Sequence, residues 1–375
     1  MPNQFKNISI NVYTIKIYIS CFSSSFMLTQ KQINEIKEEL ERSQNPLFFF
    51  DNDPDGLVSY LLLRRFLGRG KGIHIKTYPS LDVSYMRKVE ELQPDAIFIL
   101  DKPDVSQEFI DKVKEKGLPL IWIDHHAVDK PKDDYIKYYN TVHVSESNEP
   151  VSCICYNITK RKQDEWLAVA GCVADCFMPD FIDSFKAENK DLVDADYKEP
   201  FDILYNTKIG KIAMIFSFGL KDTTTNVLKM LKYLVNAGNA YDVLEENSRT
   251  RSFLHRYDVI NSRHQELIER GKQSIEGNLL FFTYGGDLSI SQDLANELTY
   301  RHPDKIIVVG YVRDNTLKLS LRWRGGDIRE ITLRVIEKIE GAHGGGHEHA
   351  TGVLIAKEQL EEFKGLLIEE IKKLG

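Results

Sequence analysis

Cysteine is scarce in this sequence, and the few cysteines form no recognisable framework. There are five in 375 residues. An odd number without a compact spacing excludes a small disulfide-stabilised scaffold and favours a reducing compartment. Apart from Cys21, they form the pairs Cys153/Cys155 and Cys172/Cys176, whose spacings match no common zinc site. We therefore expect small, buried core residues at these positions.

A continuous apolar run long enough to span a membrane is also missing. The stretch from Ile8 to Phe26 is apolar and β-branched, but Lys16 interrupts it. It has neither the basic start nor the small-residue cleavage site of a secretory signal. We treat residues 1–26 as a leader of uncertain status, either disordered or preceding a true start at Met27. We expect no membrane partner, with a leader that touches a membrane surface as the alternative.

The sequence has no excess of positive charge. Lys and Arg number 49 against 56 Asp and Glu, so the net charge is −7 at pH 7. This balance excludes a protein that is basic over its whole surface, but not a local basic groove, because the field at a site depends on nearby charges. It also fits a site that concentrates carboxylates to hold cations. The length predicts two or three domains.

Short apolar runs that end in acidic residues alternate with amphipathic stretches in the first part of the chain. The apolar runs predict buried strands at 46–50, 96–100 and 118–123, and the amphipathic stretches predict helices at 28–43, 57–67 and 107–116. Strands that alternate with helices predict an α/β fold with a parallel sheet covered on both faces. Ligands of such sheets bind beyond the carboxyl ends of the strands.

The rest of the chain predicts a helical stretch followed by a smaller α/β unit. The helical stretch contains predicted helices at 165–177, 223–238 and 240–271, and a charged loop or short helix at 188–200. The second unit has predicted strands at 279–284, 305–313, 316–323 and 351–356, the middle two joined by a hairpin turn, and helices at 291–300, 328–339 and the end. We therefore divide the chain into a leader at 1–26, a first α/β domain at 27–240, a helical connector at 241–275 and a C-terminal domain at 276–375.

Acidic and histidine side chains follow three of the predicted strands. The candidate ligands are Asp51, Asp53, Asp55, Asp101, Asp124, His125, His126 and, from a predicted helix, Asp175. So many carboxylates at one sheet edge would raise each other's pKa values unless cations neutralise them. Oxygen ligands with one or two imidazoles favour Mn²⁺ or Mg²⁺. Two such ions about 3.5–4 Å apart can activate a water and clamp both oxygens of an in-line phosphoryl displacement.

A simpler interpretation exists for each of these acidic residues. A single Asp at a strand end is usually a helix cap or a turn residue. Three strand ends that deliver ligands to one edge, one of them carrying Asp-His-His, favour a metal centre over three independent caps.

A glycine- and histidine-rich segment from Gly341 to Gly352 is the second strong pattern. Consecutive glycines let a backbone approach an anion closely, and the residues concerned are His343, Gly344, Gly345, Gly346 and His347. A flexible turn and a separate histidine metal site are the alternatives. The string His347-Glu348-His349 lacks the spacing of a zinc-peptidase motif.

Together these segments resemble the DHH phosphoesterase superfamily. Asp51 to Gly56 is similar to its first motif, Asp101 to the second, Asp124-His125-His126 to the third and Asp175 to the fourth. The glycine segment resembles the loop of the DHH-associated C-terminal domain.

The resemblance implies a role for each metal-binding residue. It implies Asp53 on one metal, Asp55 on the other, and Asp101 bridging the two. It further implies His125 and Asp175 as ligands of the second metal.

The resemblance also implies contacts to the substrate. His126 would face the substrate phosphate, Asp124 would orient the histidines, and Arg322 and the glycine-histidine loop would bind the nucleotide. Several relatives carry a histidine in or before the first motif, where this chain has Asp51 and Phe49. RecJ-type members tolerate Asp at the position of Asp51, which favours that branch and leaves the ligand set of the first metal open.

The function implied is a two-metal phosphodiesterase, a RecJ-like exonuclease that acts on single-stranded RNA or DNA in the cleft between two domains. A hydrolase of short oligonucleotides or cyclic dinucleotides is the alternative, and a non-catalytic replisome scaffold is the alternative from another class. Trp323 would stack a base or lie in the core, and a basic wall would comprise Arg313, Arg322, Arg324 and Arg329. We also expect a cytoplasmic location, with a replication protein and a second copy of the chain as candidate partners.

Overall fold

The computed structural model describes residues 28–77, 80–145 and 148–373. The predicted leader and its alternative start at Met27 lie outside the described residues. The strands in chain order are β1 (Pro46–Asp51), β2 (Lys71–Ile75), β3 (Ser80–Leu81), β4 (Ala96–Leu100), β5 (Asp104–Val105), β6 (Leu120–Asp124), β7 (Ile136–Asn140), β8 (Ile275–Glu276), β9 (Leu279–Gly285), β10 (Ile306–Arg313), β11 (Thr316–Arg322), β12 (His343–His347) and β13 (Ala350–Ala356). The helices in chain order are α1 (Gln30–Arg42), α2 (Pro54–Leu67), α3 (Met86–Leu92), α4 (Gln107–Glu115), α5 (Val142–Ser145), α6 (Val151–Thr159), α7 (Glu165–Ala174), α8 (Ile182–Glu188), α9 (Pro200–Asn206), α10 (Lys208–Leu220), α11 (Thr224–Leu234), α12 (Ala240–Leu244), α13 (Arg251–Lys272), α14 (Ser291–Arg301), α15 (Ile328–Ile336) and α16 (Leu360–Lys372).

The first domain is built on a parallel sheet of order β2-β1-β4-β6-β7. Successive residues of β1 point to opposite faces, as in any strand. Phe48 and Phe50 belong to the core shared with α1, α2, α6, α7 and α10, whereas Leu47 and Phe49 belong to the core shared with α3 and α4. Both faces are therefore covered, which is why β1 is apolar throughout.

Helix α2 begins directly after β1 because its first turn carries strong start signals. The Asp53 side chain caps it by accepting a hydrogen bond from the Gly56 N–H at 2.9 Å, and Pro54 is at its first position. A Cβ on Gly56 would lie 2.7 Å from the backbone N and O of Asp51, so a larger residue would push the helix away from the strand end.

The second domain contains a six-stranded sheet of order β12-β13-β11-β10-β9-β8. Neighbouring strands of this sheet are antiparallel, except that β9 and β10 are parallel to each other. The predicted hairpin between β10 and β11 is confirmed, and Asp314 in its turn has a φ of 51°, which Asp tolerates better than most residues. The predicted fold class, a parallel-sheet α/β domain followed by a smaller α/β domain, is confirmed.

Polar contacts join the two domains along helices α9, α10 and α14. The Ser217 hydroxyl donates to Asp293 Oδ1 at 2.8 Å, and Lys221 Nζ lies 3.2 Å from Asp293 Oδ2. The Tyr300 hydroxyl donates to Asp202 Oδ1 at 3.0 Å. These contacts fix how the C-terminal domain faces the strand ends of the first sheet.

Several local predictions differ from the structure. Strands β2 and β7 were not predicted, because both are edge strands with charged or polar residues among the apolar ones. The predicted helix at 240–271 is interrupted between α12 and α13, and the one at 165–177 ends at Ala174. The glycine-histidine segment predicted as a loop forms strand β12, because its backbone pairs with β13.

Two predictions about buried side chains have mixed outcomes. Cys153, Cys155 and Cys172 are buried as expected, but Cys176 is exposed; Cys21 lies outside the described residues. The Trp323 ring packs against the core of the second domain, which favours its core role.

Within the described ranges, no helix combines the length and the apolar character that crossing a lipid bilayer requires.

Candidate metal centre

Strands β1, β4 and β6 are neighbours in the parallel sheet, so their carboxyl ends meet at one edge. Asp51 ends β1, Asp101 follows β4, and Asp124 ends β6. Asp175 approaches the same edge from the carboxyl end of α7. The fold thus brings together residues that are more than 120 positions apart in the chain (51 to 175).

Two groups of side chains at this edge have the geometry to hold a metal ion. One comprises Asp101, His125 and His126, and the other Asp55, His125 and Asp175; within each group the ligand atoms lie within 4.8 Å of one another. His125 Nε2 is 3.4 Å from Asp101 Oδ1 and 3.6 Å from Asp175 Oδ2. His125 therefore stands between the two groups.

Asp53 and Asp55 are oriented by backbone N–H groups. Asp53 holds the Gly56 N–H through Oδ1, which leaves its second oxygen for another contact. Asp55 accepts hydrogen bonds from the N–H groups of Val151 and Ser152, both at 2.8 Å, at the start of helix α6. These two N–H groups at the helix N-terminus hold the Asp55 carboxylate in a fixed position.

The electrostatics of the cluster fit a cation. Burial, and then the charges of Asp51 and Asp55, raise the pKa of Asp53 to about 6. Burial raises the pKa values of Asp101 and Asp175 well above the ordinary value, and neighbouring carboxylates add to both shifts. Both carboxylate oxygens of Asp101 are buried without a hydrogen-bond donor among the described residues. A bound divalent ion would neutralise this repulsion and satisfy those oxygens.

Asp101 also has an unusual backbone. Its φ is 59°, in the left-handed region that non-glycine residues seldom occupy. Its N–H donates to the Ile123 carbonyl at 2.9 Å, which ties the turn after β4 to strand β6. Strain of this kind persists where the surrounding structure holds it, and it is common at functional sites.

Asp51 is engaged differently from the other carboxylates. Its Oδ1 accepts a hydrogen bond from Lys102 Nζ at 2.8 Å. Neither Asp51 nor Asp53 belongs to a metal-capable group found in the described chain, but only Asp51 is paired with a lysine. The ligand assignment for Asp51 therefore stays a prediction, and the structure places a lysine beside it.

Asp124 lies behind His126 and orients it. Asp124 is completely buried, and its Oδ1 is 2.8 Å from His126 Nδ1. Asn140 Nδ2 donates to the His126 carbonyl at 2.9 Å and to the Tyr138 hydroxyl at 2.8 Å. Burial opposes the charged imidazole, but the hydrogen bond and the charge of Asp124 raise the pKa of His126 above its ordinary value.

The C-terminal domain brings His347 to this edge. The His347 ring centroid is 6.1 Å from that of His126, and the two rings are nearly parallel at 27°. Burial, and then the positive charges of His126 and His125, lower the pKa of His347. The positive charges of Arg322 and Arg329 contribute in the same direction.

Arg322 is held in place from the same domain. Its Nε donates to Asn296 Oδ1 at 2.7 Å, and its guanidinium also donates to the Leu321 carbonyl at 2.8 Å. Arg313, in contrast, pairs with Thr316 at the opposite end of the β10–β11 hairpin from Arg322, about 20 Å away along the strand. The prediction that Arg313 shares a basic wall with Arg322 is therefore wrong.

The glycines of β12 have different surroundings. A Cβ on Gly346 would lie 2.3 Å from the Ala350 carbonyl oxygen, and one on Gly344 would lie 2.7 Å from the Gly352 oxygen, whereas one on Gly345 would meet nothing within 4 Å. Because residues two apart share a face of a strand, Gly345 lies on the same face as His347. His343 shares this face too, but about 13 Å further along the strand, so the structure does not bring it to the centre with His347.

Four residues of this region were missed by the sequence analysis: Lys102, Tyr138, Asn140 and Asn296. Lys102 could have been found, because it follows directly after Asp101 at a strand end. Asn140 occupies an equivalent strand-end position and pairs with Asp124 across the sheet, but strand β7 was not predicted. No sequence signal marks Asn296 on α14.

Comparison with protein families agrees with this geometry. A model described as the DHH family, N-terminal domain, matches residues 47–178, and a model described as the DHHA1 domain matches residues 277–373. The chain belongs to the DHH family. The first match contains every candidate ligand of the centre, and the second contains Arg322 and strand β12.

Solved structures with the same fold are similar over most of the chain. The DHH domain of a protein described as a member of a family of ribosomal proteins has a TM-score of 0.65 at 15% identity, with coverage of 91% of this chain and 90% of that one. RecJ from Thermus thermophilus in complex with Mn²⁺ has a TM-score of 0.63 at 15% identity, and the matched region comprises 92% of this chain and 55% of that one. Exonuclease RecJ bound to manganese has a TM-score of 0.60 at 15% identity, with coverage of 92% and 95%. No protein with a curated description matches the chain.

Proposed function

We propose that this DHH-family chain is a metal-dependent phosphodiesterase that hydrolyses single-stranded nucleic acid, as a RecJ-like exonuclease. The observation that carries the proposal is the convergence of Asp55, Asp101, His125 and Asp175 at one sheet edge, directly opposite His347 of the second domain. Carboxylates that need a cation on one side and cationic side chains on the other suit a phosphodiester between them.

The residues that would hold Mn²⁺ or Mg²⁺ are Asp53, Asp55, Asp101, His125 and Asp175. Carboxylate oxygens with a single imidazole suit these hard ions better than a thiolate-preferring metal. When bound, divalent ions would activate a water and offset the charge of the scissile phosphate. The similar RecJ structures were solved with Mn²⁺ and Mg²⁺, which supports the choice of ion.

His126 would bind the phosphate and donate a proton to the departing oxygen. Its Nδ1 is engaged by Asp124, so its Nε2–H is left to face the substrate. The raised pKa of His126 favours the charged imidazolium, which is both the better phosphate ligand and a proton donor. Asn140 and Tyr138 keep this pair in place behind the reacting groups.

The C-terminal domain would hold the nucleotide. Arg322 presents a guanidinium that Asn296 orients, and a guanidinium matches the geometry of a phosphate. Strand β12 is an edge strand of its sheet, so the backbone N–H groups on its outer side can face an anion. The open space at Gly345 leaves room for the strand to approach a sugar or phosphate.

Substrate length and cellular location belong to this proposal as well. Single-stranded RNA or DNA is the substrate that we propose, in the cytoplasm, and oligonucleotides of two to five residues or cyclic dinucleotides are the alternative. The chain spans 55% of the Thermus RecJ, so the substrate range of the whole RecJ protein is not transferred.

The test is hydrolysis of end-labelled RNA and DNA strands of graded length in Mn²⁺. We expect long strands to shorten by one nucleotide at a time, and the labelled end to give the polarity. Asp124→Ala should slow cleavage by about 100-fold or more, because His126 loses its orientation and its proton. Asp111→Ala, on the exposed face of α4, is the matched control and should cleave like the wild type.

Other results of this experiment would indicate a different function. If only dimers to pentamers or cyclic dinucleotides disappear, the chain is a short-oligonucleotide hydrolase. If no strand is cut with Mn²⁺ or Mg²⁺, the phosphodiesterase proposal fails, and a non-catalytic scaffold replaces it.

A further inference from the structure

Lys102 is a buried lysine at the border of the metal centre, and the proposed chemistry gives it no role. Only 2% of its surface is exposed. Its Nζ donates to Asp51 Oδ1 at 2.8 Å and to the Thr77 carbonyl at 3.2 Å, and its own carbonyl accepts a hydrogen bond from Trp122 Nε1 at 2.8 Å. Lysine is almost never buried unless it is paired. Its ammonium is therefore fixed in place by contacts at both ends of the residue.

The ion pair between Lys102 and Asp51 changes the charge balance of the centre. Asp51 ends strand β1 two residues before Asp53, at the sheet edge where β1, β4 and β6 finish together, so its carboxylate lies beside the cluster. Neither metal-capable group in the described residues includes Asp51. The first strand end thus presents its carboxylate to a cation that belongs to the chain itself.

We infer that Lys102 is a built-in cation that takes the place of a metal ion at Asp51. This inference rests on the metal centre of the proposed function. It adds the number of divalent ions that the centre binds when no substrate is present. Without substrate, the chain binds one divalent ion tightly, at the group formed by Asp55, His125 and Asp175. A second ion binds at least about 10-fold more weakly, because Lys102 occupies Asp51 and because an ammonium repels a nearby divalent cation.

The consequence for catalysis concerns the moment at which the second ion binds. A substrate phosphate brings additional oxygen ligands and negative charge to the centre. Those oxygens replace the ligand that Lys102 withholds, so the centre is complete only when a strand is bound. Lys102 then acts as a positioning residue that couples metal occupancy to substrate.

The experiment counts Mn²⁺ ions bound per chain without substrate, by calorimetric titration and by the electron paramagnetic resonance signal of free Mn²⁺. We expect one tight ion for the wild type. Lys102→Met leaves Asp51 as an unpaired carboxylate and should bind two ions with affinities within about 10-fold of each other. The double variant Asp51→Asn/Lys102→Met removes the freed carboxylate and should return to one tight ion.

Each alternative result has a defined meaning. Lys102→Gln keeps a hydrogen-bond donor to Asp51 without the charge, so it serves if Lys102→Met does not fold, and it should also gain the second ion. The inference is overturned if the wild type binds two ions equally well, if the folded Lys102 variants still bind one, or if the double variant keeps two. If the wild type binds no Mn²⁺ at all, the metal centre of the proposed function fails together with this inference.

Discussion

At the scale of single residues, ionisable side chains below the surface of this chain fall into paired and unpaired groups. Lys102 is paired with Asp51, and Arg65 forms an ion pair of 2.7 Å with the buried Asp164. Glu149 has no such partner: its Oε2 is buried and accepts no hydrogen bond from a described residue. Burial, and then the negative charge of Asp180, raise the pKa of Glu149 to about 7.

This shift predicts a pH-dependent cost to stability. Because the pKa in the folded state is higher than the 4.5 of the unfolded chain, the contribution of protonated Glu149 is fully present below pH 4.5 and is lost as the pH rises through about 7. Glu149→Gln stays neutral and does not lose it. We expect the two proteins to melt together near pH 4.5, and the variant to melt about 2–4 °C higher at pH 8. Calorimetry from pH 4.5 to 8 measures this, with exposed Glu115→Gln as the control; equal melting temperatures at pH 8 would contradict the prediction.

At the scale of elements, strand β12 shows why neighbouring glycines are not equivalent. The Gly346 backbone has a φ of 143° and leaves no room for a Cβ, whereas Gly345 borders open space. Strand pairing requires a glycine at position 346, whereas a glycine at position 345 is required only if a ligand occupies the open space beside it.

The matched substitutions Gly345→Val and Gly346→Val separate these two requirements. We expect Gly345→Val to melt within about 2 °C of the wild type but to raise the KM for a single strand by about 10-fold or more, because the valine fills the space beside His347. Gly346→Val should instead lower the melting temperature by several degrees, since its side chain would meet the Ala350 carbonyl. Melting curves and steady-state kinetics distinguish the two; an unchanged KM for Gly345→Val would mean that β12 does not contact the substrate.

Elements also differ in how well the sequence predicted them. Central strands such as β4, with Ala96 to Leu100 all buried, can be recognised in the sequence by an uninterrupted apolar run. The edge strand β2 has only His74 and Ile75 buried, so it lacks both the run and a clear alternation. The residues at the strand ends could be predicted as one cluster because parallel strands finish at the same edge. Two side-chain pairings could not be predicted from the sequence, that of Lys102 with Asp51 and that of Asn140 with Asp124. Both depend on the direction of side chains and on the register of the sheet.

At the scale of the whole molecule, the two domains must keep a fixed distance for His347 to face His126. Asp293 of α14 contributes directly, through the Ser217 hydroxyl and Lys221 Nζ of the first domain. Burial disfavours the charged form of Asp293, but Lys221 and His264 hold its pKa below the ordinary value. The contact is therefore a charged one that helps to set the position of the C-terminal domain.

Asp293→Asn keeps a hydrogen-bonding group at this contact but removes the charge opposite Lys221. Because it leaves a partly buried ammonium without its partner, we expect the melting temperature to fall by about 2–4 °C. We also expect the KM for a single strand to rise more than kcat falls, since the metal centre itself is untouched. Glu266→Gln, in an exposed ion pair with Arg263, should change neither quantity. An Asp293→Asn protein with wild-type KM would show that the domains are held by other contacts.

The hydrogen bonds from helix α6 to Asp55 have a consequence for synthesis. The residues that hold this carboxylate, Val151 and Ser152, are made 96 and 97 positions after it. At about 5–20 residues per second, the first motif waits about 5 to 20 s on the ribosome before its orienting helix exists. The group formed by Asp55, His125 and Asp175 is complete only after Asp175 has been made, so a metal ion bound as proposed would join a nearly finished first domain instead of guiding its early folding.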